Sequence, residues 1–163
     1  MMPAHKWDIS LPVKGSGVPE IQVQEVDRIT PEVVDALTIL TGQLSSSARR
    51  PTAEAFAQII DSPATVLLIA RDGAAIVSML TLVLFRIPTG VRALIEDVVV
   101  DQSARGRGVG ERLTRHAIER AKRAGARTID LTSRPSREAA NRLYQRLGFE
   151  KRDSNTYRYS LES

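Results

Sequence analysis

The chain has 163 residues, and a chain of this length can bury about two-thirds of the surface that it exposes when unfolded. One hydrophobic core, and therefore one domain, is expected. Cysteine is absent. Its absence excludes disulfides, thiolate metal ligands and a cysteine nucleophile, and it is compatible with a cytoplasmic location.

The chain is basic, with a net charge of +4 and an isoelectric point near 9.8, which favours an anionic partner. Aromatic residues make up only 4% of the chain, so the stacking platforms of a nucleic-acid binder are not expected. The longest apolar run, residues 74–85, is shorter than the ~20 residues that span a bilayer, and no membrane association is predicted. Residues 1–19 lack a secretory pattern and are predicted to form an irregular extension.

The first half of the chain predicts one strand followed by two helices. Residues 20–27 alternate imperfectly between apolar and polar, as a half-buried strand does. Thr30 and Pro31 supply an N-cap and a first helical residue for a helix over 31–44. Thr52 can cap a second, shorter helix that ends near Asp61.

Strands dominate the middle of the chain, and helices alternate with strands after it. Asp72-Gly73 favours a tight turn between two apolar strands. The near-continuous apolar character of these strands is typical of a sheet covered on both faces. The remaining predicted elements are strands over 65–70, 74–87 and 91–100, a helix ending at Gly125, a strand over 126–132, a helix over 137–147 and two antiparallel strands within 152–161.

A glycine-rich run, Arg105 to Gly110, joins the strand over 91–100 to the next helix. Glycines let the backbone approach an anion, and a helix N-terminus offers unpaired N–H groups, so the run predicts a phosphate cradle. The dinucleotide pattern G-x-G-x-x-G fails because Glu111 stands at the third glycine position, and no Gly-Lys-Ser or Gly-Lys-Thr is present. The pattern that remains is Arg-x-x-Gly-x-Gly.

This pattern resembles the coenzyme A signature of the GCN5-related N-acetyltransferases (GNAT family). Leu143-Tyr144 followed by Leu147-Gly148-Phe149 is similar to the ending of the same family. The resemblance implies an α/β fold over residues 20–163, a single GNAT domain with a mostly antiparallel mixed sheet of six to seven strands flanked by four helices. It also implies acetyl-CoA as cosubstrate, an amine acceptor, and a cleft where the strands that hold Glu96 and Ile129 splay apart.

The resemblance implies a set of coenzyme-binding positions. Pantetheine and the thioester carbonyl are expected at the main chain of Val98, Val99 and Val100. Arg137 stands where many relatives have asparagine, so Arg137 and Asn141 are both candidates for the pantetheine amides. The cradle is expected to hold the diphosphate through Arg105, Gly106, Arg107, Gly108, Val109, Gly110 and Glu111.

Amine acetylation needs a base for the ammonium and an acid for the departing thiolate. Glu96 and Asp97 interrupt an apolar strand, where charged side chains are costly unless they face a cleft or a partner. They should project to opposite faces of an extended strand, and Glu96 is favoured as the base, directly or through water. The family resemblance points to Tyr144 as the general acid. His5 and His116 are expected to be ordinary, and no metal site is predicted.

The acceptor side is expected from the resemblance at residues 44–51 and 156–159. Arg49 and Arg50 would suit a carboxylate or phosphate, whereas Glu96 and Asp97 would suit an amine. The predicted function is direct acetyl transfer in a ternary complex to a primary amine of a small molecule or a peptide N-terminus. A catalytically silent acyl-CoA-binding or regulatory domain is the alternative, and either a monomer or a homodimer is compatible with the sequence.

Overall fold

The computed structural model describes residues 20–45 and 49–161. The predicted extension over 1–19 lies outside these residues. The described part is a mixed α/β fold with one five-stranded sheet and four α-helices. None of its helices combines the length and the apolar character needed to cross a bilayer.

The elements follow the predicted order up to the last helix. Their bounds in chain order are β1 Ile21–Glu25, α1 Pro31–Leu44, α2 Ala53–Asp61, β2 Thr65–Asp72, β3 Ala75–Ile87, β4 Gly90–Val100, a 3₁₀ turn Gln102–Ala104, α3 Val109–Arg123, β5 Ile129–Leu131 and α4 Glu138–Arg146.

Side-chain caps fix where the first two helices begin. The Thr30 hydroxyl accepts the N–H of Val33 at 3.3 Å, and the Thr52 hydroxyl accepts the N–H of Ala55 at 3.2 Å. Each bond satisfies one of the backbone donors that a helix start leaves unpaired. The predicted starts of α1 and α2 are therefore confirmed.

The strands lie in sequence order from β1 to β5. The first three pairings are antiparallel, and β4 and β5 are parallel. A parallel pair needs a crossover connection, and α3 supplies it. This arrangement brings the end of β4, the start of α3 and the end of β5 to the same region of the molecule.

The core has two parts, one on each face of the sheet. On one face α3 packs its apolar stripe, which includes Leu113 and Ala117, against β2, β3 and β4. On the other face Leu37 and Leu40 of α1 pack with Phe56 of α2. Burial on both faces explains why β2 and β3 are nearly continuously apolar.

The sheet has fewer strands than predicted. The expectation of six to seven strands included two strands within 152–161, but those residues form no strand, and the sheet of the described residues has five. Residues 150–161 are all exposed. An alternating pattern indicates that a segment can form a strand, but it does not indicate which strand would pair with it. The prediction of two antiparallel strands within 152–161 was therefore wrong.

Candidate active site

A bulge in β4 shapes the candidate site. Met79 of β3 pairs with Val99 and Thr81 pairs with Glu96, so two residues of β4, Asp97 and Val98, stand opposite one residue of β3. Asp97 has a φ of 51°, a left-handed conformation that is uncommon outside glycine. An extra residue of this kind bends a strand and redirects its side chains.

The bulge corrects one expectation about the two acids. Glu96 and Asp97 were predicted to project to opposite faces, yet both are exposed and both line one cleft. Strict alternation holds only for a regular extended strand, and the positive φ of Asp97 interrupts it. Both acidic residues therefore border the same cleft.

The cleft forms where β4 and β5 part. The parallel pairing ends at Ile95 and Leu131, whereas β4 continues to Val100. An opening lined by residues of both strands therefore follows the last paired residues, where the family resemblance implied a splay. The resulting cleft has a volume of about 120 Å³, and its lining is Leu44, Ile95, Glu96, Asp97, Val98, Leu131, Thr132, Arg137 and Tyr144.

Tyr144 reaches this cleft from α4, and the end of the helix fixes its ring. Gly148 adopts a φ of 91°, and the N–H of Phe149 donates to the carbonyl of Tyr144 at 3.0 Å. The N–H of Gly148 donates to the carbonyl of Gln145 at 3.0 Å, which completes a Schellman motif with its usual apolar contact. That contact is an edge-to-face pair of the Tyr144 and Phe149 rings at 5.8 Å.

The phenol of Tyr144 is placed to hold a proton. Tyr144 is 6% exposed, and its hydroxyl forms no hydrogen bond within residues 20–45 and 49–161. Burial raises the pKa of Tyr144 above its ordinary value of 10.0, and the nearby charge of Arg137 opposes that rise. A phenol in this position is neutral near pH 7, and Tyr144 is one of the residues that line the cleft.

The glycine-rich run forms an open turn at the N-terminus of α3. Gly106 and Gly108 have φ values of 74° and 75°, and a Cβ added at either would meet no atom within 4 Å. Gly108 is the N-cap and offers no side-chain cap. In the described part of the chain, the N–H groups of residues 106–111 donate no hydrogen bond, so they remain available to an anion.

The remaining glycine of the run has a different role. Gly110 has no positive φ, but a Cβ there would lie 3.4 Å from Cδ2 of Leu143 and 3.6 Å from Cγ2 of Val100. Val109 is buried beside it in the core under α3. These two residues seat the first turn of α3 against β4 and α4.

The charged side chains of the cradle are already engaged. Arg105 Nε donates to the carbonyl of Val100 at 3.2 Å, Arg107 pairs with Asp72 at 2.5 Å, and Glu111 accepts Arg115 at 2.8 Å. The cradle therefore presents its main-chain N–H groups more directly than its side chains. Among the described residues Arg105 forms no salt bridge, although its charge contributes to lowering the pKa of Asp101.

The structure separates the two pantetheine candidates. Arg137, just before α4, lines the cleft and donates from Nη2 to the carbonyl of Val98 at 3.3 Å. Asn141 instead donates to the carbonyl of Arg134 at 3.0 Å, which ties the β5–α4 connection to α4. Val99 is buried, and its carbonyl accepts the Ser78 hydroxyl at 2.7 Å, so its backbone is engaged with β3.

Arg49 and Arg50 lie apart from the carboxylates. They line a second depression of about 330 Å³ together with Thr38, Thr41 and Pro51. The end of α1 contributes to both, since Leu44 lines the main cleft and Thr41 lines this depression. Residues 156–159 line neither depression, so the structure does not join them to the acceptor side within one chain.

Two residues near the site were not predicted. Asp101 caps the 3₁₀ turn by accepting the N–H of Ser103 at 2.8 Å, and its other oxygen accepts Gln43 of α1 at 2.7 Å. These bonds lower the pKa of Asp101, with the Ser103 hydroxyl the largest cause. An aspartate two residues before a serine is a local capping signal that could have identified it. Thr132, a polar residue directly after an apolar strand, lines the cleft.

Comparison with known proteins identifies one family. The model of the acetyltransferase (GNAT) family matches residues 33–149. This range contains the bulge, the cradle, Tyr144 and Phe149.

Similar proteins carry related names. An uncharacterised N-acetyltransferase of Methanocaldococcus jannaschii is 41% identical over 61 residues, which are 37% of this chain and 27% of that protein. A probable glucosamine 6-phosphate N-acetyltransferase of Oryza sativa is 46% identical over 55 residues, 34% of this chain and 31% of that protein. The match therefore spans about a third or less of these relatives.

A solved structure matches over nearly its full length. It is an Agrobacterium tumefaciens protein provisionally assigned as an acetyltransferase, with a TM-score of 0.76 and 25% identity. The superposition covers 85% of this chain and 99% of that one.

Proposed function

The chain belongs to the acetyltransferase (GNAT) family, and we propose that it moves an acetyl group directly from acetyl-CoA to a primary amine bound beside Glu96. Membership makes the chain an acyltransferase with acetyl-CoA as cosubstrate. The observation that carries the finer proposal is the cleft at the end of the β4–β5 pairing, which two carboxylates and a buried phenol line together.

The cradle fits the diphosphate of a CoA thioester. Open space at Gly106 and Gly108 and the unpaired N–H groups at the start of α3 suit a bound anion. The lack of a side chain at Gly110 lets this helix start lie close to Val100, at the end of the strand that lines the cleft. Bound acetyl-CoA supplies the activated acetyl group, and the chain's own residues position it and move the protons.

Glu96 is proposed as the base. An alkyl ammonium is a poor nucleophile near pH 7, and a carboxylate can accept its proton directly or through water. Glu96 is the residue directly before the bulge, and it is exposed and lines the cleft. Asp97, brought to the same cleft, would attract the ammonium group before it loses its proton.

Tyr144 is proposed as the acid. The departing thiolate needs a proton, and a phenol whose ionised form is disfavoured by burial keeps its proton at neutral pH. The free hydroxyl supports this role over a purely structural one, since a packed core tyrosine usually has a hydrogen-bonded hydroxyl.

The acceptor is proposed to be a small amine or a peptide N-terminus, with an anionic group as an additional feature. Arg49 and Arg50 beside the second depression would suit a carboxylate or phosphate on the same acceptor. The name of the rice relative includes a phosphorylated amino sugar. Such a compound carries both an amine and a phosphate, so it belongs in the panel of acceptors.

The test is a thiol-release screen over alkyl diamines, amino acids, amino-sugar phosphates and peptides, followed by Glu96→Gln on the best acceptor. We expect kcat to fall about 10²- to 10⁴-fold, the usual contribution of a general base, with little change in acetyl-CoA affinity. Glu119→Gln removes the same charge from an exposed pair with Lys122 and is the matched control. Saturable acetyl-CoA binding without turnover of any acceptor would instead identify a silent acyl-CoA-binding domain.

A further inference from the structure

A hydrogen bond between two side chains joins the last turn of α1 to the end of β4. Nε2 of Gln43 donates to Oδ2 of Asp101 at 2.7 Å. Asp101 directly follows β4, and its other oxygen, Oδ1, accepts the N–H of Ser103 at 2.8 Å. Gln43 and Asp101 are 58 residues apart in sequence, so the bond fixes one element of the fold against another.

The chemistry of this pair fixes the orientation of the Gln43 amide. Hydrogen bonds from Ser103 and Gln43 lower the pKa of Asp101, so its carboxylate is ionised near pH 7 and can only accept. Gln43 must therefore donate from Nε2, which leaves its Oε1 buried with no hydrogen-bond partner among the described residues. A buried unpaired oxygen costs stability. A bond that is kept despite this cost calls for a role besides stability.

Asp101 is itself held in place by its main chain. Its N–H donates to the carbonyl of Val77 on β3 at 2.8 Å, and its carbonyl accepts the N–H of Ala104 at 3.0 Å. Ala104 is buried in the core under α3, and the cradle begins at the next residue, Arg105. The carboxylate of Asp101 is therefore a fixed point beside the cradle, to which Gln43 attaches the end of α1.

The end of α1 borders both depressions of the candidate site. Leu44, the residue after Gln43, lines the cleft that also contains Glu96. Thr41, two residues before Gln43, lines the second depression together with Arg49. A shift of this helix end would therefore move a wall of both depressions relative to Glu96 on β4.

We propose that Asp101 is a positioning residue for the acceptor: through Gln43 it holds the end of α1, and with it one wall of the acceptor site, at a fixed place relative to Glu96. The inference rests on the proposed function, in which the amine binds beside Glu96. Asp101 lines neither depression, so it acts through Gln43 and not on the substrate. Loss of the bond should weaken acceptor binding, whereas the coenzyme, held by the main chain of the cradle, should bind as before.

The test changes the two partners singly and together. Gln43→Glu places a second carboxylate against Asp101 and breaks the bond by repulsion. We expect acceptor KM to rise at least about tenfold, within the range of couplings between contacting residues, with a smaller change in kcat and an unchanged acetyl-CoA dissociation constant. Asp101→Asn added to Gln43→Glu supplies an amide that can donate to the new carboxylate, and acceptor KM should return to the native value. Asp101→Asn alone should have little effect, because Gln43 can turn its amide and accept through Oε1.

Hydrogen exchange measures the same bond without a substrate. Gln43→Glu should accelerate amide exchange in the last turn of α1 at least about tenfold, and the double variant should restore slow exchange. The first turn of α1 should not change, because Arg71 holds it through Glu32 at 2.6 Å. Glu32→Gln is the matched control: it weakens the contact at the other end of the same helix and should leave acceptor KM unchanged.

Three results would overturn the proposal. They are unchanged exchange in the last turn of α1 in Gln43→Glu, an acceptor KM that does not recover in the double variant, and an acetyl-CoA dissociation constant that rises together with acceptor KM. Exchange is measured without turnover, so the first result overturns the proposal even if no acceptor reacts. Glu96→Gln tests the proposed acetyl transfer through kcat, so its failure and the failure of this inference are distinguishable.

Discussion

Tyr144 shows how one side chain can be fixed in the core and still be chemically available. Its ring is held by Phe149, and its hydroxyl has no bond to the described residues. Removing only the hydroxyl should therefore cost little packing. The same substitution removes the proton that we assign to the departing thiolate.

For Tyr144→Phe we expect kcat to fall by about 10²-fold, the lower range for a general acid, with acetyl-CoA affinity and neutral-pH stability nearly unchanged. Because burial raises the folded pKa of Tyr144, the native chain holds this proton longer than the unfolded chain. The contribution of this proton to folding stability is therefore fully present below pH 10.0, and it is lost as the pH rises through the higher pKa of Tyr144 in the folded chain. Thermal unfolding from about pH 8 to about pH 11 should show a smaller alkaline loss in the variant. An unchanged kcat would contradict the assignment.

Candidate site residues could be proposed from sequence, but their arrangement could be predicted only in part. Glu96 and Asp97 could be proposed as candidates because charges are costly in an apolar strand. That both face one cleft depends on the bulge at Asp97, which arises from the register of β3 against β4. Register is a relation between distant segments, and one strand's pattern does not contain it.

At the scale of elements, the start of α3 has its shape because two glycines adopt left-handed conformations that leave the first-turn N–H groups exposed. Gly108 has a φ of 75° and open space where a Cβ would lie. An added methyl group therefore meets no protein atom. It would strain the backbone and occupy the space through which an anion approaches.

We expect Gly108→Ala to lower the free energy of unfolding by about 1–2 kcal/mol, the cost of a left-handed conformation for a residue with a Cβ, and to weaken acetyl-CoA binding by at least about tenfold. Gly42→Ala is the matched control: it lies within α1, has no atom within 4 Å of an added Cβ and no positive φ. It should stabilise the chain by about 0.5–1 kcal/mol with no effect on binding. Urea unfolding and calorimetric titration measure both. Full acetyl-CoA affinity in Gly108→Ala would show that the diphosphate binds elsewhere.

Elements with local signals were predicted well, and those that depend on distant partners were not. The start of α1 is predicted by Thr30 with Pro31, and the start of α2 by Thr52. β5 is shorter than predicted because the N–H of Ala126 donates to the carbonyl of Ala121 in the turn that ends α3. The predicted C-terminal strands are absent, since residues 150–161 pair with no strand of the described chain.

At the scale of the whole molecule, a CoA thioester would contact elements that are far apart in sequence. The cradle belongs to α3, the cleft walls to β4 and β5, and Tyr144 and Arg137 to α4 and the residue before it. A ligand that binds several elements of the folded state and none of the unfolded chain stabilises the fold as a unit.

Acetyl-CoA at about 100 times its dissociation constant should add about 2.7 kcal/mol to the free energy of unfolding, which for a chain of this size raises Tm by about 5–11 °C. The shift should persist in Glu96→Gln and Tyr144→Phe, which change chemistry rather than the cradle, and should shrink in Gly108→Ala. Differential scanning fluorimetry at one fixed chain concentration measures it. A full Tm shift in Gly108→Ala, or no Tm shift in the native chain, would show that the cradle does not bind the coenzyme. A bound ligand stabilises the fold only through the residues that contact it.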